Sequence, residues 1–486
     1  MSAPQQVEAP GGEPTLNRVM GPGLLLLFVV GDILGTGVYA LTGKVAAEVG
    51  GAVWLPFLTA FLVAILTAFS YLELVTKYPQ AAGAALYTHK AFGIHFLTFM
   101  VTFTVMCSGL TSASSASEAF ASNFVEAFDL SVGEGAALTL LALAFISLVA
   151  LVNFRGVSES VRVNVLLTCV ELTGLLIIIC IGAWALTRGA GDTSRLLEFD
   201  TADGQTGFGA VTAATALAFF AMVGFEDSVN MAEECTNPVR DFPRVMLIGL
   251  GITGVIYVLV SICAVALVPV GDLTDPTKGS ALTQVVRAGA PGLPFDRIFP
   301  FIGMFAVANS ALINMLMASR LLYGLARQGV LPHALGVVHA TRRTPWVSIL
   351  FTTALAFGLI YFVVTGSQAQ AISLLGGTTA LLLLCVFTVV NIALIVLRRQ
   401  PPVGHEHFRT PGPLPYVGAA TCAFLVGPWA RSEAQMGQYR IAAWLLGVGV
   451  VLWLLTWAWN RAVRHRPGGM QRAELLAARR GDAPRN

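Results

Sequence analysis

Apolar residues along this chain come in long blocks rather than in alternation. Each block, of about 20 residues, is long enough to cross ~30 Å of hydrocarbon as a helix, and short polar stretches separate them. The pattern predicts twelve membrane spans, at residues 22–43, 51–75, 94–125, 135–153, 162–187, 208–232, 243–268, 298–325, 347–366, 372–397, 414–430 and 441–460. The third is long enough to be tilted, and the eleventh is short. An even count puts both termini on one side. The segments on that side hold 21 of the 29 Lys and Arg residues, against 8 on the other. The positive-inside bias therefore predicts cytoplasmic termini in a multi-pass protein of the cell membrane.

Two of the blocks are interrupted at their centres. In the first, GDILGTGVYA (Gly31 to Ala40), Gly35 and Gly37 flank Thr36, and a carboxylate, Asp32, stands one turn earlier. Glycine lets a helix open, and an opened backbone in hydrocarbon must face protein, water or a ligand. In the sixth block, ATALAFFAMVGFEDSVNMAEE, the apolar run stops at Gly224 and Glu226 and Asp227 follow. The two interruptions lie five spans apart. That spacing is the mark of two inverted halves, residues 22–187 and 208–397, with a binding site between their broken helices.

Further polar residues stand inside apolar spans. Glu171 in the fifth is expensive there unless it marks a pathway, relays protons or pairs with a neighbouring span. Asn309, Ser310 and Asn314 lie within the eighth, where the amides can brace the opened part of the first. The third span holds CSGLTSASSASEAF, whose small residues let helices approach closely and whose hydroxyls can line a polar cavity. Glu73, near the end of the second span, is placed to pair with a basic group at the interface.

A composition of 56% hydrophobic and 12% charged residues excludes a soluble enzyme or a nucleic-acid binder and makes the lipid bilayer the chain's environment. The seven cysteines are scattered, without the spacing of a disulfide framework or a zinc site. His405-Glu406-His407 has no accompanying ligand cluster and reads as a solvated loop. No GxxxxGK[ST] phosphate loop occurs. No cofactor, metal or nucleic-acid partner is expected. Residues 1–21 read as a retained cytoplasmic tail without a cleavage site, and the Arg-rich residues 461–486 as a solvated basic tail.

Three stretches, LGTGVYALTGKVA, FFAMVGFEDSVNMAEECTNPVRDFPR and SRLLYGLARQGVLP, together resemble the amino acid–polyamine–organocation superfamily, and within it the cationic amino acid transporter branch. The resemblance implies the leucine-transporter-like fold, with a ten-helix core over residues 22–397 and two added helices over 414–460. It also implies substrate-binding positions. A carboxylate would meet backbone N–H groups around Gly35, Thr36, Gly37 and Val38. An amine would meet carbonyls of Ile33 and of Val223, Gly224 and Phe225, with Phe220 or Phe225 closing over the substrate. Half-helix termini favour the same charges.

Two residues depart from that family's pattern. Glu171 stands where many proton-coupled relatives have a lysine, and Asp32 where a neutral residue is common. Asp32 either faces a cationic group of the substrate, carries a proton along a path with Glu226, or makes a structural hydrogen bond to the opened backbone or to Asn309. Asp32, Glu171, Glu226 and Asn309 are the coupling and gating candidates. The expected function is secondary active transport of amino acids or related amines by alternating access, with proton coupling through the buried acids. The alternatives are an amino acid/polyamine exchanger without ion coupling and a membrane-embedded enzyme. The enzyme has no nucleophile–base constellation to support it, and a channel has no filter motif.

Overall fold

The computed structural model describes residues 20–459 except 81–82, 131–135, 156, 202–205, 276–277, 293–294, 328–330, 340–341, 343, 368–370 and 402–403. Almost all of residue 1–21 and the whole of the 461–486 tail lie outside the described residues. The first block forms two helices, α1 (Pro22–Ile33) and α2 (Thr36–Val49), followed by α3 (Trp54–Lys77), a short α4 (Gly83–Phe92), α5 (His95–Ala127), α6 (Ala136–Arg155) and α7 (Val157–Thr187). The sixth block is α8 (Gly207–Ala218), a tight turn at Phe219–Met222, the four-residue α9 (Phe225–Ser228) and a second tight turn at Val229–Glu234. Then come α10 (Pro238–Leu267), α11 (Val270–Leu273), α12 (Ala281–Gly289), α13 (Phe295–Arg327), α14 (Trp346–Ser367), α15 (Ala371–Leu397), α16 (Leu414–Val426) and α17 (Gly437–Trp459).

Eleven described segments are long and apolar enough to cross a membrane; α16, at 13 residues, is the short twelfth. Its ~1.5 Å rise per residue leaves it short of a full crossing. The chain continues from it through a tight turn at Pro428–Ala430. α5 spans 33 residues, as its long apolar block predicts.

The small-residue stretch of α5 explains the centre of the bundle. α5 packs along α13 and α15, and Ala113, Ser114, Ala116 and Ser117 are buried between them. Ser114 and Ser117 return their hydroxyls to the carbonyls of Leu110 and Ala113 one turn back, so they fill space without leaving a polar group unpaired. At one end of the bundle Thr236 N donates to Met20 O, tying the start of the first crossing to the end of the sixth. At the other end Gly51 N donates to Glu198 O.

Candidate functional site

Both interrupted spans are broken where their glycines stand. α1 stops at Ile33, Leu34 N closes the last turn onto Val30 O, and the chain turns at Gly35 (φ 9°, ψ −149°) before α2 starts at Thr36. Gly35 offers no side chain to cap α2, so the first N–H groups of α2 have no local acceptor. Thr36 N donates instead to the hydroxyl of Ser310 on α13, 3.1 Å away. On the α1 side Ile33 O accepts from the Tyr257 hydroxyl at 2.6 Å, and Gly31 O from Asn309 Nδ2 at 3.2 Å.

In the sixth span Val223 is extended and Gly224 has φ 128°. A Cβ at Gly224 would stand 2.6 Å from Asp32 O, so the position demands glycine for both conformation and space. A Cβ at Gly37 would stand 2.3 Å from Ala221 Cα. Gly37 is therefore small because the backbone of the sixth span lies on it. The two breaks meet main chain against main chain.

A small cavity opens where they meet. Asp32, Ile33, Gly35, Thr36 and Gly37 line it from the first break, and Phe220, Val223 and Gly224 from the sixth. Val38 and Phe225 are fully buried but are not on the wall. Phe225 packs in an aromatic cluster, 5.8 Å from Tyr71 and 5.2 Å from Phe387 between ring centroids. Of the two aromatic candidates for closing over a ligand, only Phe220 faces the cavity.

Four wall residues are missing from the set the sequence nominates: Ser112, Asp227, Ser310 and Asn314. Ser310 and Asn314 are four apart on α13, a spacing that puts them on one helix face, and Asn314 Nδ2 donates to Ser310 O at 2.8 Å. That signal is present in the sequence. Asp227 has no such signal, because α9 is a single turn between two tight turns and its facing does not follow from helical period.

The remaining candidates stand behind the wall. Glu226 Oε2 accepts from Gly224 N at 2.9 Å, so this carboxylate ties down the turn of its own break. Asn309 holds the last turn of α1 through Gly31 O, contacts Thr168 Oγ1 at 3.3 Å and accepts from Asn164 Nδ2 at 2.9 Å. It thus braces the end of α1 and makes no hydrogen bond to Asp32. Glu171 on α7 is fully buried beside the Asn309 side chain, and neither of its carboxylate oxygens reaches good hydrogen-bond geometry with a described residue. Asp32 is 8% exposed with Oδ2 unpartnered.

No group of three or more His, Cys, Asp or Glu among the described residues is arranged to hold a metal ion. All seven cysteines are free. His405 donates from Nε2 to Thr76 O at 3.1 Å, so its ring fastens a loop to the end of α3.

The amino acid permease family matches residues 25–453 of the chain. The chain is 26% identical over 468 residues to the branched-chain amino acid permease BcaP of Bacillus subtilis, covering 92% of this chain and 95% of that protein. It is 27% identical over 440 residues to the methylthioribose transporter of the same species, covering 87% and 90%. With the chloroplastic cationic amino acid transporter 9 of Arabidopsis thaliana it shares 30% over 360 residues, covering 70% of this chain and 60% of the other. With a match that runs through both broken spans and nearly the whole bundle, this chain belongs to the amino acid permease family.

Proposed function

We propose that this protein is a secondary transporter that moves amino acids or related amines across the membrane by alternating access. The observation that carries the reading is the cavity between the two breaks, where helix ends of both polarities meet. The N-terminus of α2 presents Thr36, Gly37 and Val38 N–H groups, which suit a carboxylate. The C-terminal end of α1 and the turn at Val223–Gly224 present carbonyls, which suit an ammonium group. Ser310 occupies the Thr36 N–H until a carboxylate displaces it. Relatives named as amino acid permeases and cationic amino acid transporters support the substrate class.

Two inverted halves, 22–187 and 208–397, fit this reading. Each has its break in its first span, and a short helix follows the second span in one half (α4) and in the other (α12). The charge count places the termini in the cytoplasm. Glu171, buried behind the first break, is the candidate for proton coupling. The test is counterflow in liposomes holding the purified protein. Saturable exchange of a labelled amino acid that stops in Gly37→Leu supports the reading; an unchanged apparent affinity in that variant rejects the site.

A further inference from the structure

Three carboxylates flank the two breaks, and the structure separates them by what holds them. Glu226 is bonded to the backbone of its own turn. Asp32 and Asp227 both line the cavity, and no described residue hydrogen-bonds either carboxylate, although each residue is only 8% exposed. The rest of the wall is glycine, hydroxyl, amide and apolar surface, with no lysine, arginine or histidine. A carboxylate taken out of water without a partner is costly, so this wall is built for a ligand that brings positive charge. One ammonium group meets one carboxylate. A second ionised carboxylate goes unmatched unless it takes up a proton or the ligand carries a second cationic centre.

We propose that Asp227 is a specificity-determining residue of this cavity, which together with Asp32 selects amino acids bearing a cationic group on the side chain over those with apolar side chains. The proposal rests on the transport reading above and adds the charge rule to it. The α-carboxylate keeps its place at the N-terminus of α2, so a diamine, which has none, leaves those N–H groups without an anion and binds less well. Phe220 and Val223 give the apolar wall along which the stem of a basic side chain lies.

The test is a set of uptake and competition measurements in liposomes with labelled lysine, labelled leucine and putrescine on wild type, Asp227→Asn and Asp227→Glu. Wild type is expected to show kcat/KM at least tenfold higher for lysine than for leucine, with putrescine a weaker competitor than lysine. Asp227→Asn should bring the lysine-to-leucine ratio down at least tenfold, through KM for lysine, and Asp227→Glu should restore most of the ratio. A wild type that prefers leucine, or an Asp227→Asn variant that keeps the ratio, overturns the proposal while the transport reading stands. No saturable uptake of any of the three by wild type overturns both.

Discussion

Two sites in this protein bury carboxylates in apolar surroundings, and they are built in opposite ways. Glu73, at the end of α3, is 3% exposed and receives Nε and Nη2 of Arg398 and the backbone N–H of Thr410. Arg398 Nη2 also donates to Thr410 O, and the Thr410 hydroxyl in turn donates to Phe69 O. The result straps the segment after α15 onto α3. The Glu73 carboxylate holds the Arg398 guanidinium even more firmly protonated than usual. At the cavity, the Asp32 and Asp227 carboxylates receive no hydrogen bond from the described residues. A buried acid with all its partners serves the fold. One that lacks them is held ready for something that arrives from outside.

The comparison can be broken most forcefully at Glu73. Glu73→Ala removes three donors' acceptor and leaves Arg398 half-paired, at an expected cost of about 3 kcal/mol. Thermal unfolding in detergent should show a large drop, and Glu73→Ala with Arg398→Gln should recover part of it. If Glu73→Ala unfolds like wild type, a full set of partners does not mark a structural acid here. Gly224→Ala comes next. Its Cβ would meet Asp32 O at 2.6 Å in a left-handed conformation, which costs about 1–3 kcal/mol. Transport should fall to background in that variant although the protein still inserts; retained uptake would show that the breaks need not touch.

Asp32→Asn sharpens the contrast from the other side. It replaces a buried carboxyl group that no described residue hydrogen-bonds, so its unfolding temperature should stay level or rise while competition by cationic compounds weakens. A fall in stability like that of Glu73→Ala would make Asp32 a structural residue. For Glu171→Gln the expected change is subtler still: exchange persists, and acceleration by an inward proton gradient is lost. Wild-type uptake that ignores the gradient, or requires sodium, rules out that role.

The smallest effect lies at an exposed acid. Asp192 caps the turn at Thr193–Leu197 by accepting from Ser194 N and Oγ, which hold its carboxyl below the usual carboxylate range. Because the folded value is lowered, its contribution is present above the ordinary value and fades as the pH falls through the lowered one. Asp192→Ala should lower the unfolding temperature slightly near neutral pH, and the gap should close in acid.

The sequence reads well wherever one dimension decides. Block length yields the spans, including the short eleventh, and glycine in an apolar block yields both breaks. Ser310 and Asn314 stand in sight at helical spacing, yet their partner Thr36 lies 274 residues from Ser310, and only the fold joins them. Facing is harder. Phe225 and Asp227 sit two apart in a segment too short to keep a helical period, and one enters an aromatic cluster while the other reaches the cavity. Gly37 is singled out in the sequence as a substrate-binding position, and the neighbour that requires it to be small, Ala221, belongs to the other break.

The contact of the two breaks through glycine and main chain has a consequence for how such a protein can change over time. The side chains of Ser112, Phe220 and Asp227 on the cavity wall are free to be exchanged one at a time, since none of them forms the joint between the two breaks. The joint in turn tolerates almost no substitution, because a single added methyl group lands on backbone. The cavity's side chains and the joint of the two breaks thus occupy separate parts of one small volume, so a lineage can change the former while keeping the latter unaltered.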